Sequence, residues 1–179
     1  MRRAWAPTEA FDPAAFKRRT AGVLGLGRSG LAAANLLARR GFRVLASDSR
    51  PRKEARPLAA KLHRRAKWEA GGHSDRLLAC GFVVKSPGIV PAAPILRRLK
   101  ERGVPVYSEL EVALAFSRAR EVVAVTGTNG KTTTTLLAAA CFKAGGRRVR
   151  TAGNIGTPVS ALAEKSGPRE TLVLEVSSY

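Results

Sequence analysis

The densest chemistry in this sequence lies in Thr126-Gly127-Thr128-Asn129-Gly130-Lys131-Thr132-Thr133, set between an apolar run and a helical stretch. Small residues let backbone N–H groups converge on phosphate oxygens. A lysine reaches the β- and γ-phosphates, the hydroxyl beside it suits Mg2+, and the helix N-terminus behind the loop favours negative charge. All of these parts occur here in that order. The pattern departs from the usual GxxxxGK[ST] at one place, because Val125 stands at the first glycine position. The segment reads as an ATP site; a plain Gly-rich turn with a solvated lysine is the alternative.

A second turn of the same kind lies upstream. Gly25-Leu26-Gly27-Arg28-Ser29-Gly30 follows an apolar run and opens a helical pattern, and Asp48 ends the next run. In a GxGxxG arrangement the glycines allow a tight turn, close backbone approach to a phosphate, and close helix–strand packing. An acidic residue ~20 positions on suits a ribose hydroxyl. Taken alone, the motif fits an NAD(P)-binding module, or a purely structural turn.

The elements that must position these turns alternate short β-type runs with helical stretches, which implies parallel sheets with crossover helices, an α/β fold. Strands are expected at 21–25, 43–48, 82–85 and 104–107. Helices are expected at 29–40, with Leu31, Ala34, Leu37 and Ala38 on one side, and at 57–67, 92–102 and 109–116. Glu109 and Glu111 read as exposed helix positions. A second series restarts with a strand at 121–126 and a helix carrying Leu136, Leu137, Ala140, Cys141 and Ala144 at helical spacing. A strand at 148–151, a helix at 158–165 and a strand at 172–176 follow. The boundary falls near 117–121, giving an extension at 1–19, a first domain at 20–118 and the start of a second at 119–179. A parallel sheet should continue past residue 179, so the second domain is expected to be incomplete.

The pairing of the two turns is informative, since a nicotinamide domain followed directly by an ATP loop is an unusual plan. TGTNGKTTT at 126–134 resembles the ATP loop of the Mur ligases and of their relative folylpolyglutamate synthase. Gly153-Asn154-Ile155-Gly156 and Leu174-Glu175-Val176-Ser177-Ser178-Tyr179 resemble the segments after that loop in the D-glutamate-adding branch. GLGRSG, Asp48-Ser49-Arg50 and Ser86-Pro87-Gly88-Ile89 resemble its uridine-nucleotide domain. The resemblance covers about residues 20 to 179; the first 19 residues match nothing recognisable.

It implies a Rossmann-like UDP-substrate domain followed by an incomplete P-loop ATPase-type domain. It also implies ATP and Mg2+ as cofactors, and UDP-N-acetylmuramoyl-L-alanine and D-glutamate as substrates joined through an acyl phosphate. By the same resemblance, Gly27, Arg28 and Ser29 hold the UDP part, Asp48 and Arg50 contact the uridine end, and Pro87 and Gly88 line that cleft. Gly127, Thr128, Asn129, Gly130, Lys131, Thr132 and Thr133 cradle ATP, with Lys131 on the γ-phosphate. Thr132 and Glu175 hold Mg2+, while Asn154 and Ser177 position the muramoyl-alanine arm. Glu175 also stands at the carboxyl end of a buried-type strand, where ligands of open α/β sheets bind. Blander alternatives stay open: Glu175 paired with a surface arginine, Asn154 as a turn residue, Arg50 as one solvated arginine among many. Another Mur ligase is the nearest rival activity. The family's modified lysine, metal-site histidine and amino-acid-binding domain lie downstream, so this chain alone is expected not to complete the reaction.

Composition narrows the rivals. The net charge of +19 raises nucleic-acid binding. However, the arginine pairs (39/40, 64/65, 97/98, 147/148) are scattered along the chain, with no basic stripe interleaved with aromatics. A solvated surface that meets anionic small molecules is preferred. Two cysteines, Cys80 and Cys141, each among apolar neighbours, read as buried thiols in a reducing cytoplasm. With two histidines, His63 and His73, there is no His/Cys cluster for structural zinc. No apolar run approaches the ~20 residues of a membrane helix, and no secretory signal is recognisable. A monomer is expected.

Overall fold

Nearly continuous apolar runs in the first half become strands buried on both faces, the signature of a covered parallel sheet. The computed structural model describes residues 10–177. Residues 1–9 of the expected extension, and Ser178 and Tyr179 of the LEVSSY segment, lie outside the described residues. The chain divides into two units, Met1–Ala115 and Phe116–Tyr179, each with its own parallel sheet.

In the first unit β1 (Thr20–Leu24), β2 (Arg43–Asp48), β3 (Ala66–Ala70), β4 (Phe82–Lys85) and β5 (Val106–Ser108) lie in the order β3-β2-β1-β4-β5. Every neighbouring pair is parallel. The chain winds outward from β1 in both directions, so the strand order reverses between β1 and β4. That reversal opens a crevice at the carboxyl ends of the strands. Helix α1 (Arg28–Arg39) has no side-chain N-cap. It is held by packing instead, with Ala33, Ala34, Leu36, Leu37 and Ala38 fully buried. Each such leucine contributes roughly 1.5–3 kcal/mol.

Helices α2 (Arg52–Ala59), α3 (Pro94–Glu101) and α4 (Glu109–Phe116) complete the unit. The helix expected at 57–67 is corrected: α2 starts five residues earlier, carries Pro57 inside it, and gives way to edge strand β3. Half-buried Ala-Lys-Trp-Glu-Ala shows little apolar alternation, so only its pairing with β2 makes it a strand. Glu109 and Glu111 are also corrected. Glu109 is buried, and Glu111 Oε2 accepts the Ser108 N–H at 2.7 Å while its own N–H donates to Ser108 Oγ at 3.1 Å. This is a capping box at the start of α4. The segment before β1 is part of the core, because the rings of Phe11 and Phe16 pack tilted against Phe82 with centroids 4.9 and 4.8 Å away.

The second unit comprises β6 (Glu121–Val125), α5 (Lys131–Ala144), β7 (Arg148–Gly153), α6 (Val159–Leu162) and β8 (Glu170–Glu175). Its sheet runs β6-β8-β7, all parallel, with β8 buried from Thr171 to Glu175. Helix α5 rests on β7 and β8 through Thr135 and Ala139, not through the apolar side expected from spacing. Leu136 and Leu137 are 52% and 63% exposed. Cys141 is exposed as well, which corrects the expectation of two buried thiols. The physical reason is width: a three-stranded sheet receives one narrow stripe of α5, and no described element of this unit covers the leucine side. Cys80 is buried as expected, and burial pushes its thiol up to about 11. No helix among the described residues is long and apolar enough to cross a membrane.

Candidate functional site

In the first unit the Gly-rich turn joins β1 to α1 at the carboxyl edge of the sheet. A Cβ on Gly30 would lie 1.8 Å from the Gly25 carbonyl oxygen, so only glycine lets the helix start this close to the strand. Gly27 differs: its φ is −67° and a Cβ there would meet nothing within 4 Å. The fold does not demand glycine at 27, whereas a phosphate approaching the backbone does. Arg28 and Ser29 occupy the first turn of α1.

Asp48, at the end of β2, is almost fully buried beneath this turn. Its Oδ2 accepts the Leu26 N–H at 2.6 Å and Arg50 Nη2 at 2.6 Å, while Oδ1 accepts the Arg50 N–H at 2.9 Å and Arg50 Nε at 2.8 Å. The Arg50 side chain, followed by the backbone bonds, holds this carboxyl well below the ordinary carboxylate range despite burial. A carboxylate offers about four acceptor positions, and all are taken. Asp48 therefore anchors the turn, and a ligand reaches it only where the Arg50 fork gives way.

Beside it lies a cavity of about 420 Å3, lined among others by Ser49, His73, Gly88, Ile89, Pro94 and Arg98. Of the expected nucleotide residues it includes Gly88, but not Gly27, Arg28, Ser29, Asp48, Arg50 or Pro87. Sequence reasoning missed the group behind this wall. Fully buried Ser47 has its Oγ 2.9 Å from Glu69 Oε1 and 2.8 Å from His73 Nδ1. Burial would raise Glu69, but bonds from Ser74 and Ser47 and the charge of Arg76 hold it below its ordinary value. Burial lowers His73 against the pull of Glu69 and Asp48. The available signal was the Trp68-Glu69-Ala70-Gly71-Gly72-His73-Ser74 run, a strand followed by a Gly-Gly turn.

In the second unit the loop after β6 ends where Thr134 N–H bonds the Gly130 carbonyl, the first bond of α5. The N–H groups of Lys131, Thr132 and Thr133 thus have no intrahelical acceptor. Lys131 Nζ folds over the loop and donates to the carbonyls of Gly127 at 2.8 Å and Thr128 at 3.0 Å. Its ammonium is already at the cradle.

Strand register brings the remaining pieces together. Glu175 pairs with Val125 on one side and Gly153 on the other, so it stands between the ATP-type loop and the Gly-Asn-Ile-Gly segment. Thr132 Oγ1 donates to Glu175 Oε2 at 2.6 Å, and Asn154 N–H donates to the Glu175 carbonyl at 3.0 Å. A Cβ on Gly153 would lie 2.2 Å from that same carbonyl, which explains the glycine before Asn154. Ser177 follows two residues beyond β8, half-buried. A buried carboxylate and a hydroxyl in contact fit a hard cation that takes its other ligands from phosphate and water. No cluster of three His, Cys, Asp or Glu side chains exists among the described residues.

Three kinds of comparison bear on this arrangement. Residues 19–108 match the family described as Mur ligase MurD-like, N-terminal domain, and residues 125–179 match the Mur ligase middle domain. The chain is 43% identical over 176 residues to the UDP-N-acetylmuramoylalanine--D-glutamate ligase of Elusimicrobium minutum, which covers 94% of this chain and 38% of the relative. It is 44% identical over 165 residues to the enzyme of the same name from Chlorobium luteolum, covering 90% and 35%. The chain thus spans just over a third of the length of these relatives. Among solved structures, a pseudomurein peptide ligase type C from Methanothermus fervidus shares the fold, with a TM-score of 0.50 and 24% identity over 90% of this chain and 33% of that one. With both stretches matched in order, the chain belongs to the Mur ligase family.

Proposed function

We propose that this chain supplies the UDP-substrate and ATP-binding parts of an ATP-dependent ligase that joins D-glutamate to UDP-N-acetylmuramoyl-L-alanine. The observation that carries the reading is the placement of Glu175: in register between the loop and Asn154, and bonded to Thr132. One carboxylate thereby ties the nucleotide cradle to the segment that would receive the second substrate. The relatives named above support the choice of amino acid.

The residues act mainly by positioning and charge. Backbone N–H groups from Gly127 to Thr133 receive the phosphates, and Lys131 leaves the carbonyls of Gly127 and Thr128 to neutralise the γ-phosphate. Thr132 and Glu175 fit a Mg2+ ion, which supplies further neutralisation when bound. Asn154 and Ser177 orient the L-alanyl carboxylate for attack on the γ-phosphorus. ADP leaves as the bond from the γ-phosphorus to the bridging oxygen breaks; the free amine of D-glutamate then attacks the resulting acyl phosphate, losing a proton as phosphate leaves and the amide forms. Upstream, Gly27, Arg28 and Ser29 receive the diphosphate, and Asp48, Arg50, Pro87 and Gly88 shape the uridine end.

Titration calorimetry of the chain against UDP-N-acetylmuramoyl-L-alanine tests this reading. Saturable binding that weakens in Gly27→Val is expected; heat only with NADH, and none with the UDP substrate, would refute it.

A further inference from the structure

Among the cavities, charged clusters and exposed faces of the molecule, the Glu69–Ser47–His73 group carries an inference through proton counting. Ser47 Oγ has one hydrogen and three neighbours: Glu69 Oε1 at 2.9 Å, His73 Nδ1 at 2.8 Å and the Gly72 carbonyl at 3.3 Å. The carboxylate and the carbonyl accept only. If the hydroxyl donated to His73, its lone pairs would face the Glu69 carboxylate with no proton between them, at a fully buried position. If it donates to Glu69, the imidazole must supply the proton between Nδ1 and Oγ, and only the longest of the three contacts, to the Gly72 carbonyl at 3.3 Å, is left without one. The chain of donors therefore runs from His73 Nδ1–H to Ser47 Oγ–H to Glu69. Ser74 fixes the far end, with its N–H on Glu69 Oε1 at 3.0 Å and its hydroxyl on Oε2 at 2.6 Å.

We propose that this relay locks His73 in the Nδ1–H form, so that Nε2 presents a bare acceptor to the 420 Å3 cavity and makes His73 a specificity-determining residue for a base carrying a ring N–H, such as uracil. This rests on the nucleotide reading above and deepens it. The cavity suits a base: Ile89, Val90, Ala93 and Pro94 give it an aliphatic wall, on which a planar ring lies. An acceptor in such a wall favours a ring that offers N–H and disfavours one that offers a lone pair or a methyl group.

Two measurements on the 179-residue chain decide it. Nitrogen-resolved NMR of His73 without ligand should show the Nδ1-protonated ring, and an Nε2-protonated ring overturns the proposal. Calorimetry with UDP and with N3-methyl-UDP should give wild type a preference of roughly tenfold for UDP. That preference should collapse in His73→Phe. It should also shrink in Ser47→Ala, a small change at a buried site that keeps the chain folded while freeing the ring. A preference that survives both substitutions overturns the proposal. If UDP fails to bind wild type while the NMR shows the Nδ1-protonated ring, the nucleotide reading has failed and the locked acceptor stands.

Discussion

The two Gly-rich turns share one device, a strand feeding a helix through a tight loop, yet opposite charges hold them. The first is held from below by an anion: buried Asp48 takes the Leu26 N–H and is itself closed by the Arg50 fork. The second is held from above by a cation: Lys131 donates to the loop carbonyls and takes no amide. The first turn has therefore committed a backbone donor to the protein, while the second keeps the donors of the first turn of α5. On the proposed function, the first would serve recognition, with a fully bonded carboxylate beside the cavity. The second, on the same proposed function, would serve a phosphate whose charge changes during reaction, with Lys131 passing from the loop carbonyls to that phosphate.

The largest contrast should come from the cation. Lys131→Ala should leave the chain folded and lower the ATP-dependent rate of the full-length ligase by about 10²–10³-fold, with UDP-substrate binding unchanged. Equal losses at both ligands would erase the division of labour drawn here.

Next come the two glycines of the first turn. Gly30→Ala should cost about 3 kcal/mol in chemical denaturation, because its Cβ has backbone in the way. Gly27→Ala should cost about 1 kcal/mol or less, as an N-cap change, yet weaken UDP binding. A stable Gly30→Ala chain would show that the close approach is not needed.

Acid should separate the units as well. Asp48, Glu69 and His73 are all lowered in the folded first unit, so the unfolded chain binds more protons and stability falls with falling pH. The His73 contribution is complete above its ordinary 6.5 and is lost as pH drops below it. Those of Glu69 and Asp48 follow below 4.5 and 3.8. Trp68, His63 and His73 lie in the first unit and residues 116–179 contain no tryptophan, so tryptophan fluorescence during a pH titration does not report the second unit. The loss beginning near pH 6.5 should vanish in His73→Phe.

The smallest effect belongs to the uncovered side of α5. Leu137→Ser, at a residue 63% exposed, should change the stability of this chain by no more than about 0.5 kcal/mol. A larger loss would mean that the leucine side is covered in solution.

What could be read ahead of the structure was local. Both turns were legible because strand, glycines, lysine and helix follow one another without a gap. Strands β2 and β4 and helix α4 were legible because each is a dense apolar run whose ends carry turn or polar residues. β3 escaped because a polar edge strand has no period of its own and exists through pairing with β2. Cys141 and the α5 leucines were misplaced because apolar spacing names a face without saying what covers it.

By itself, then, the order of residues determined two Gly-rich strand-to-helix turns in a parallel α/β chain and the family they resemble, since those signals span a few neighbours each. Only the tertiary structure decided that Asp48 is consumed in anchoring its turn, that Glu175 stands between the loop and Asn154, and that Ser47 joins Glu69 to His73. Each depends on strand register or on packing between segments 20 or more residues apart, where a shift of one position would turn the side chain to the opposite face.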